Sequence, residues 1–324
     1  MHTIAVLPGD GIGPEVTAAA VQVLAAAQRG FTLELVFADA GAGAIEKHGT
    51  NLPAATQRIL KRADACLKGP MTTLETPGAP VSAAVRIRRM FDLYANVRPC
   101  RGNGVDLVIV RENTEGLYAG RERPVPGGAV AERLVTSRAS RRIAAHALAL
   151  ANRRRKKLTY VHKANILRMT DGVFVRAVLS QAKRYPRVAV EGMHVDAAAM
   201  QLVKAPHQFD VLVTTNLFGD ILSDEAAQVA GGVGLAPSAN IGDRYGMFEP
   251  VHGSAPKYAG KGIANPVGMI RAAALMLDFL GEARAAARIE RAVQVALASG
   301  KARTRDLGGR ASTQQAGKAI AEVL

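Results

Sequence analysis

Tryptophan is absent from this 324-residue sequence, aromatic residues make up only 4%, and there are two cysteines. Two cysteines cannot build a disulfide framework, so we expect a reducing compartment. No apolar run is long enough to span a bilayer, and the sequence does not open on the charged and then apolar segments of a secretory leader. These absences predict a soluble, cytoplasmic protein without a membrane partner.

Hydrophobic and basic residues, by contrast, are abundant. Hydrophobic residues are 48% of the chain, enough for a substantial core, and the length suits about two domains of roughly 150 residues each. The net charge of +15 can indicate nucleic acid or anionic substrates as partners. The dense basic run at 153–157 has no interleaved aromatic residues, so we interpret it as a solvated helix end and predict no nucleic-acid partner.

Strand-like and helix-like segments alternate along the chain, which indicates an α/β fold. Loops rich in glycine and proline are expected at 77–80, 124–128 and 231–237, and the segment 121–135 could form an arm or flap. Strands are predicted at 4–7, 31–37, 105–110, 158–161 and 211–214, and helices at 14–28, 57–62, 267–280 and 282–298.

The stretch LPGDGIGPEV, residues 7–16, holds three glycines directly after the end of the first predicted strand. A dinucleotide-binding turn needs the spacing G-x-G-x-x-G, but the last position falls on Pro14 or Val16 in the two possible registers. Pro14 and Glu15 instead suit the first turn of a helix. The residues alone leave open whether this is a cofactor turn or a tight strand-to-helix turn.

Three aspartates are candidate ligands of a divalent cation. Asp220 and Asp224 in NLFGDILSDEA are four residues apart, so on a helix their carboxylates share one face and repel unless a cation lies between them. Asp196 stands among apolar residues, where it is either a cap or a ligand. Mg²⁺ takes carboxylate oxygens of this kind. The alternative is a solvated acidic face.

Isolated cations follow several apolar segments. Arg88, Arg98 and Arg111 could form a bidentate clamp for carboxylates, whereas Arg86 and Arg89 are expected at the surface.

Two further segments could carry chemistry. Lys163 follows a predicted strand and could act in proton transfer, or be an ordinary surface lysine. The loop 248–266 could approach phosphates with its backbone N–H groups, or be a plain turn region.

The motifs together resemble one family. They are GDGIGPE, LKGP, DLYANVRP, VRENTEGLY, HKAN, TTNLFGDILSD, GLAPSANIGD and FEPVHGSAP followed by GKGIANP. Over residues 4–320 the sequence resembles the isocitrate, homoisocitrate and 3-isopropylmalate dehydrogenases, which are β-decarboxylating dehydrogenases. The resemblance implies an α/β fold of the isopropylmalate dehydrogenase type and not a Rossmann fold. In such a fold GDGIGPE is a turn beside the cofactor site rather than a pyrophosphate cradle.

The resemblance also implies domains and an assembly. A large, discontinuous cofactor-binding domain would comprise residues 1–97 and 240–324. A smaller domain, residues 98–239, would carry the dimer interface and the metal and catalytic residues. The active sites would lie in a cleft and be shared between the subunits of a homodimer, with a higher oligomer left open.

By the same resemblance, the reaction is the metal-dependent oxidative decarboxylation of a 2-hydroxy-3-carboxy acid with reduction of NAD⁺ or NADP⁺. Tyr118 would protonate the enol carbon after CO₂ leaves, and Lys163 of the partner subunit would handle the hydroxyl proton. Asp220 and Asp224, with Asp196 of the partner subunit, would bind Mg²⁺ or Mn²⁺. The substrate-binding residues would be Ser82, Arg88, Arg98, Arg111 and Asn165, and the cofactor-binding residues Thr73, His252, Gly253, Ser254, Ala255, Lys257, Tyr258 and Asn265.

The segment before DLYANVRP departs from the pattern of isocitrate enzymes, which resembles S-x-N-x-x-x-R. Ser82 fits this pattern, Ala84 removes the amide, and Val85 resembles some homoisocitrate enzymes. RENTEGLY and GLAPSANIGD favour isocitrate or homoisocitrate as the substrate. The alternatives are 3-isopropylmalate or a substrate analogue.

The cofactor motif is mixed as well. Lys257 and Tyr258 resemble NADP-dependent isocitrate enzymes, where the NAD branch usually reads Asp-Ile, yet GKGIANP resembles the NAD branch. A catalytically silent regulatory subunit is the weaker functional alternative, because Tyr118, Lys163 and the three aspartates are all present.

Overall fold

The computed structural model describes residues 1–74, 76 and 78–324. Residue 77 of the predicted loop 77–80 lies outside this described part. The strands are β1 His2–Leu7, β2 Leu33–Phe37, β3 Ala65–Lys68, β4 Ala95–Gly102, β5 Val105–Glu112, β6 Glu122–Val125, β7 Gly128–Ala131, β8 Lys157–His162, β9 Ala189–His194, β10 Val211–Thr214, β11 Pro237–Ile241 and β12 Gly246–Pro250. The helices are α1 Gly13–Ala27, α2 Ala42–His48, α3 Ala54–Arg62, α4 Ala83–Met90, α5 Ser137–Arg153, α6 Thr170–Ala182, α7 Val195–Lys204, α8 Asn216–Val229, α9 Val267–Phe279, α10 Ala283–Ala298 and α11 Thr313–Ala321.

The chain divides into two compact units. The first unit comprises Met1–Phe91, Val233–Ala239 and Arg244–Leu324, and the second comprises Asp92–Gly232 and Asn240–Asp243. The domains predicted at 1–97 with 240–324 and at 98–239, and their dimer contact, stay a prediction.

The first unit has the strand order β2-β1-β3-β12-β11, in which β2, β1, β3 and β12 run parallel. Parallel strands covered on both faces read as continuous apolar runs, and Ile4, Ala5, Val6 and Leu7 of β1 are fully buried. Helix α9 packs on β12, and α1 packs on α9 and α11. The loops that follow β1, β3 and β12 consequently leave the sheet at its carboxyl edge.

The second unit has the strand order β4-β5-β10-β8-β9. β4 is antiparallel to β5, whereas β5, β10, β8 and β9 are parallel to their neighbours. Apolar side chains of α5 and α6, such as Ile143, Leu148 and Phe174, form one buried cluster with those of the strands. The residues after β5, β8 and β10 therefore meet at one edge of the sheet, where ligands bind in open α/β sheets.

The predicted α/β class and the strands and helices named above are confirmed. The segment 121–135 contains an exposed antiparallel hairpin, β6–β7, as expected of an arm. The loop predicted at 124–128 is wrong, because most of it belongs to this hairpin. The loop predicted at 248–266 begins too early, since its first three residues complete β12. Within the described residues, no helix is both long and apolar enough to cross a membrane.

Two predictions about surface arginines are also corrected. The side chain of Arg86 is partly buried, and its Nη1 donates to Asn51 Oδ1 at 2.7 Å. In the basic run 153–157, Arg154 Nε donates to Oδ1 of the buried Asp210 at 2.7 Å. Both arginines are fixed by acceptors that are distant in sequence, which the local pattern does not reveal.

Candidate active site

Asp220, on the second turn of α8, accepts hydrogen bonds from three side chains of other elements in the second unit. Arg98 Nη2 of β4 donates to Asp220 Oδ1 at 3.2 Å, and Arg111 Nη1 of β5 donates to the same oxygen. Tyr118, in the short 3₁₀ helix Leu117–Ala119, donates its hydroxyl to Asp220 Oδ2. Arg98 Nη1 also donates to Asp224 Oδ1 at 2.8 Å. We call these five residues the Asp220 cluster.

Both arginines of the Asp220 cluster are held by buried asparagines that the sequence analysis did not identify. Arg98 Nε donates to Asn96 Oδ1 at 2.8 Å, and Arg111 Nε and Nη2 donate to Asn216 Oδ1 at 3.0 and 2.7 Å. Gly219 lets α8 approach β5, since a Cβ there would lie 2.7 Å from the side chain of Arg111. Asn96 lies in the motif DLYANVRP, and Asn216 and Gly219 lie in NLFGDILSD. Their place in these motifs is the feature of the sequence that could have identified them.

Burial and neighbouring charge perturb two titratable groups of the cluster. Burial, followed by the hydrogen bond to Asp220, raises the pKa of Tyr118 above its ordinary value. Tyr118 therefore keeps its proton at neutral pH. Burial also raises the pKa of the Asp224 carboxyl, and the Arg98 guanidinium opposes that shift. The ring of Tyr118 lies 4.8 Å from the guanidinium carbon of Arg111, a cation–π arrangement.

Lys163 and Asp196 form a separate pair in the second unit. Lys163 directly follows β8, and its Nζ donates to Asp196 Oδ1, in the first turn of α7, at 2.6 Å. This hydrogen bond lowers the pKa of Asp196. Asn165, two residues after Lys163, is exposed.

The predicted metal ligands are only partly brought together. Asp220 and Asp224 lie on neighbouring turns of α8, but within the described residues no three His, Cys, Asp or Glu side chains gather at one point that could hold an ion. Asp196 is thus not part of a three-aspartate set in one chain. The pair on α8 fits Mg²⁺ or Mn²⁺, which take carboxylate oxygens and, for Mg²⁺, usually keep several waters.

In the first unit, Arg88 lies in the last turn of α4 and is paired with Glu249 of β12. Arg88 Nη2 donates to Glu249 Oε1 at 3.0 Å, and Lys68 Nζ lies 2.7 Å from Glu249 Oε2. The Nε atom of Arg88 is buried without a hydrogen-bond partner among the described residues. Ser82 is the N-cap of α4 and its Oγ accepts from Val85 N at 3.3 Å, so this predicted substrate residue also has a structural role.

The glycine-rich turn after β1 packs against two other loops of the first unit. A Cβ at Gly9 would lie 2.1 Å from Pro70 O, and one at Gly11 would lie 2.0 Å from Ser254 O. Both glycines also have positive φ. These glycines are required for close backbone contact, including with the loop that holds the predicted cofactor residues.

His252 offers an unused buried acceptor in that loop. Its Nδ1 lies 3.1 Å from Gly253 O, and because a carbonyl can only accept, Nδ1 carries the proton. The Nε2 atom is then a lone-pair acceptor, and it is buried without a partner among the described residues. Burial lowers the pKa of His252, which keeps the ring neutral. An orphaned acceptor of this kind fits a ligand that brings its own N–H donor.

The other predicted cofactor residues differ in how firmly they are held. Ser254 Oγ lies 2.8 Å from Thr72 Oγ1, whereas the predicted neighbour Thr73 is exposed. Ala255 has φ of +39°, an uncommon conformation for a residue with a Cβ, and Gly253 is exposed. Strain of this kind clusters at ligand-binding loops.

Asn265 is fixed at the far end of this loop. Its Nδ2 donates to Asp306 Oδ2 at 2.8 Å, and its Oδ1 accepts from Val267 N at 3.0 Å. Lys257 and Tyr258 are exposed in the 3₁₀ helix Pro256–Tyr258, where Lys261 Nζ lies 5.6 Å from the Tyr258 ring centroid.

Comparison with known proteins is consistent over the whole chain. The family described as isocitrate/isopropylmalate dehydrogenase matches residues 3–320. The isocitrate/homoisocitrate dehydrogenase of Thermus thermophilus is 50% identical and covers 100% of this chain and 98% of its own length. The 3-isopropylmalate dehydrogenase of Methanothermobacter thermautotrophicus is 48% identical, over 99% of this chain and 98% of its own length. The crystal structure of isocitrate dehydrogenase from Methylococcus capsulatus matches with a TM-score of 0.95 at 47% identity, over 100% and 99% of the two chains.

These matches confirm the predicted fold and family. The relatives differ in the substrate that they are named for, so they support the type of reaction and not one hydroxy acid. Enzymes of this family use NAD(P)⁺ and a divalent metal ion. The chain belongs to the isocitrate/isopropylmalate dehydrogenase family and is a decarboxylating hydroxy-acid dehydrogenase.

Proposed function

We propose that this enzyme oxidatively decarboxylates a 2-hydroxy-3-carboxy acid of the isocitrate or homoisocitrate type. The observation that carries this proposal is the Asp220 cluster, in which two arginines, a protonated tyrosine and two carboxylates meet. Such a set can bind an anionic substrate, hold a cation and deliver a proton. These are three of the requirements of the reaction.

Arg98 and Arg111 are the proposed binding groups for substrate carboxylates in the second unit. Both are almost fully buried, and planar guanidinium groups recognise carboxylates with two parallel hydrogen bonds. In the structure they donate to Asp220 and Asp224, so a metal ion bound by those aspartates would leave the arginines available for the substrate. Arg88 of the first unit is proposed as the third arginine, with Ser82 and Asn165 as further substrate contacts.

The bound metal would be held by Asp220 and Asp224 with Asp196 of the partner subunit, and the metal and nicotinamide together supply electrophilic activation and a hydride acceptor. Lys163 of the partner subunit would take the hydroxyl proton as a neutral amine; within one chain its Nζ donates to Asp196 Oδ1, another proposed residue of the same site. Tyr118 would donate its proton to the carbon that CO₂ leaves, since its raised pKa keeps it protonated until that step.

The cofactor would bind to the first unit through the loop 252–258. The unpartnered Nε2 of His252 suits the exocyclic amino group of an adenine, with Thr73, Gly253, Ser254, Ala255 and Asn265 around it. Exposed Lys257 and Tyr258 favour a 2′-phosphate and hence NADP⁺, whereas the surrounding GKGIANP favours NAD⁺.

A homodimer is the proposed assembly, with a higher oligomer as an extension of it. Large apolar side chains are exposed in the second unit, and three of them lie on α7 and α8, which pack together. Apolar groups that share a surface often mark a protein interface. The exposed apolar residues of the second unit include Ile166, Met169, Met200, Val203 and Ile221.

The two cysteines are free and buried, which supports a cytoplasmic location.

A panel of substrates tests this function. Purified enzyme should turn over isocitrate or homoisocitrate faster than 3-isopropylmalate or D-malate, in the presence of Mg²⁺ and either NAD⁺ or NADP⁺. A higher kcat/KM for 3-isopropylmalate would instead establish that activity. The absence of turnover with every pair would favour a silent regulatory subunit.

A further inference from the structure

Arg133 connects two parts of the second unit that carry proposed active-site residues. Its side chain is 15% exposed, although it follows the exposed hairpin β6–β7. Arg133 Nη1 donates to Asp171 Oδ1 at 2.6 Å and to Thr170 Oγ1 at 2.7 Å, and Nη2 donates to Thr215 Oγ1 at 2.9 Å. One guanidinium thus joins the start of α6 to the residue that precedes α8.

Asp171 is the fully buried partner of this arginine and also holds the backbone of Lys163. Its Oδ2 accepts from Lys163 N at 2.6 Å, while its Oδ1 accepts from Arg133. A buried carboxylate is costly unless both oxygens are satisfied by strong donors. Arg133 supplies the positive charge opposite the buried Asp171 side chain, and Asp171 then fixes the backbone of the residue from which the proposed catalytic amine extends.

The residue next to Arg133 contacts the loop of the other proton-transfer group. Leu134 forms a β-bridge with Gly116, and Gly116 N donates to Leu134 O at 2.8 Å. Gly116 stands two residues before Tyr118. Of two adjacent residues, Leu134 therefore contacts the loop that carries Tyr118, and Arg133 is connected to Lys163 through Asp171.

We propose that Arg133 and Asp171 are positioning residues for Lys163. They fix the Lys163 backbone so that the amine reaches the substrate hydroxyl in the productive geometry. This rests on the proposed function, in which Lys163 takes the hydroxyl proton. A misplacement of about 1 Å in such a group can cost on the order of a hundredfold in rate.

Asp171→Asn tests the proposal, because it retains the volume of the side chain but places an amide N–H against Arg133 or the Lys163 backbone. We expect kcat to fall by about ten- to a hundredfold, with a smaller change in KM. Substrate deuterated at C2 should also show a larger isotope effect on kcat, since hydride transfer, which depends on removal of the hydroxyl proton by Lys163, becomes rate-limiting.

Asp210→Asn is a matched control in the same unit. Asp210 is also buried and accepts from an arginine, Arg154 Nε at 2.7 Å, and from a backbone group, Arg155 N at 2.8 Å. Asp210 immediately precedes β10, and the two residues that donate to it precede the start of β8, whereas Lys163 follows the end of β8. Asp210→Asn should therefore reduce thermal stability while leaving kcat and the isotope effect unchanged.

The results separate positioning from stability and from the function itself. An unchanged kcat in Asp171→Asn, or equal losses in Asp171→Asn and Asp210→Asn, would overturn the positioning role. Wild-type turnover by Lys163→Met would remove the proposed role of Lys163 and this proposal with it. If Asp171→Asn does not fold, Arg133→Lys replaces it, because lysine retains the charge but not the several N–H donors of the guanidinium. We expect kcat to decrease in Arg133→Lys, though less than in Asp171→Asn. A wild-type kcat in Arg133→Lys would overturn the proposal.

Discussion

Tyr118 donates its hydroxyl to the same carboxylate, Asp220, that accepts from the buried Arg111. The phenol is therefore hydrogen-bonded to a proposed metal ligand. Because burial and this hydrogen bond both raise the pKa of Tyr118, the tyrosine is protonated at neutral pH, as its proposed role as proton donor requires. This relationship makes the roles of Tyr118, Lys163 and Asp220 experimentally separable.

Tyr118→Phe and Lys163→Met should impair different steps. Protonation of carbon comes last, so Tyr118→Phe should form reduced nicotinamide in the first turnover and then release product slowly. Lys163→Met should suppress the first turnover itself, because the hydroxyl proton is not removed. Rapid-mixing measurements of nicotinamide absorbance distinguish these patterns, and identical first-turnover rates in the two variants would contradict the assignment.

Asp220→Asn should reduce turnover severely and weaken activation by Mg²⁺ or Mn²⁺, because one charged oxygen ligand becomes a neutral amide. Asp220 contacts both proposed substrate-binding arginines and is proposed to hold the cation, so kcat should fall by more than about a hundredfold. Glu225→Gln, an equivalent change on the same helix outside the Asp220 cluster, is the control. Titrating Mg²⁺ or Mn²⁺ into both variants compares the metal concentrations that they need for activity. If the wild-type enzyme kept full activity after exhaustive chelation, metal dependence would be refuted.

The sequence predicts which residues and segments form the site better than it predicts the hydrogen-bond partners of those residues. The four-residue spacing of Asp220 and Asp224 identified one helix face, and the strand before Lys163 was recognised from its apolar run. The contacts of Asp220 with Arg98 and Arg111 span more than a hundred residues, so no local pattern could reveal them. The family resemblance placed all of these residues in one site without giving their hydrogen bonds.

The buried ion pairs were missed for the same reason. The loop predicted at 248–266 includes Glu249, but this residue lies in β12. It forms ion pairs with Arg88 and Lys68, both of which are distant in sequence. Arg133 lies within the segment 121–135 that the sequence predicts as an arm, and nothing near it in the sequence marks Asp171 as its partner. Tertiary contacts decide whether such a charged residue is solvated or buried.

Tyr245→Phe is expected to stabilise the protein by about 1 kcal/mol, because its buried hydroxyl finds no hydrogen-bond partner among the described residues. The stacking of its ring on Phe91, with centroids 3.9 Å apart, is retained. Burial raises the pKa of Tyr245 well above its usual value. The neutral form is therefore favoured in the fold, and its contribution to stability is complete below pH of about 10 and is lost as the pH rises beyond that value toward the folded pKa.

Urea unfolding at neutral pH and above pH of about 10 tests both parts of this prediction. The variant should show a higher midpoint than wild type at neutral pH and a smaller decline at alkaline pH. A lower midpoint at neutral pH would show that the Tyr245 hydroxyl has a stabilising partner, such as an ordered water.

We predict that the cofactor preference depends on Lys257 and Tyr258, which are exposed in the same loop as His252. A 2′-phosphate carries nearly two negative charges, so a facing lysine would make a charge-assisted hydrogen bond of roughly 1.5–3 kcal/mol. That energy corresponds to about ten- to a hundredfold in kcat/KM. Lys257→Asp with Tyr258→Ile should therefore shift the preference from NADP⁺ toward NAD⁺, because an aspartate repels the phosphate and accepts from ribose hydroxyls.

Two controls sharpen this measurement of kcat/KM for both cofactors. Arg58→Asp makes a comparable charge change at an exposed position of α3 in the same unit and should leave the cofactor ratio unchanged. Arg305→Met tests whether a second cation contributes, since Arg305 is exposed in the C-terminal segment where Asp306 bonds Asn265. A wild-type enzyme that strongly prefers NAD⁺, with no shift in the double variant, would mean that Lys257 faces solvent and that neither residue reads the phosphate.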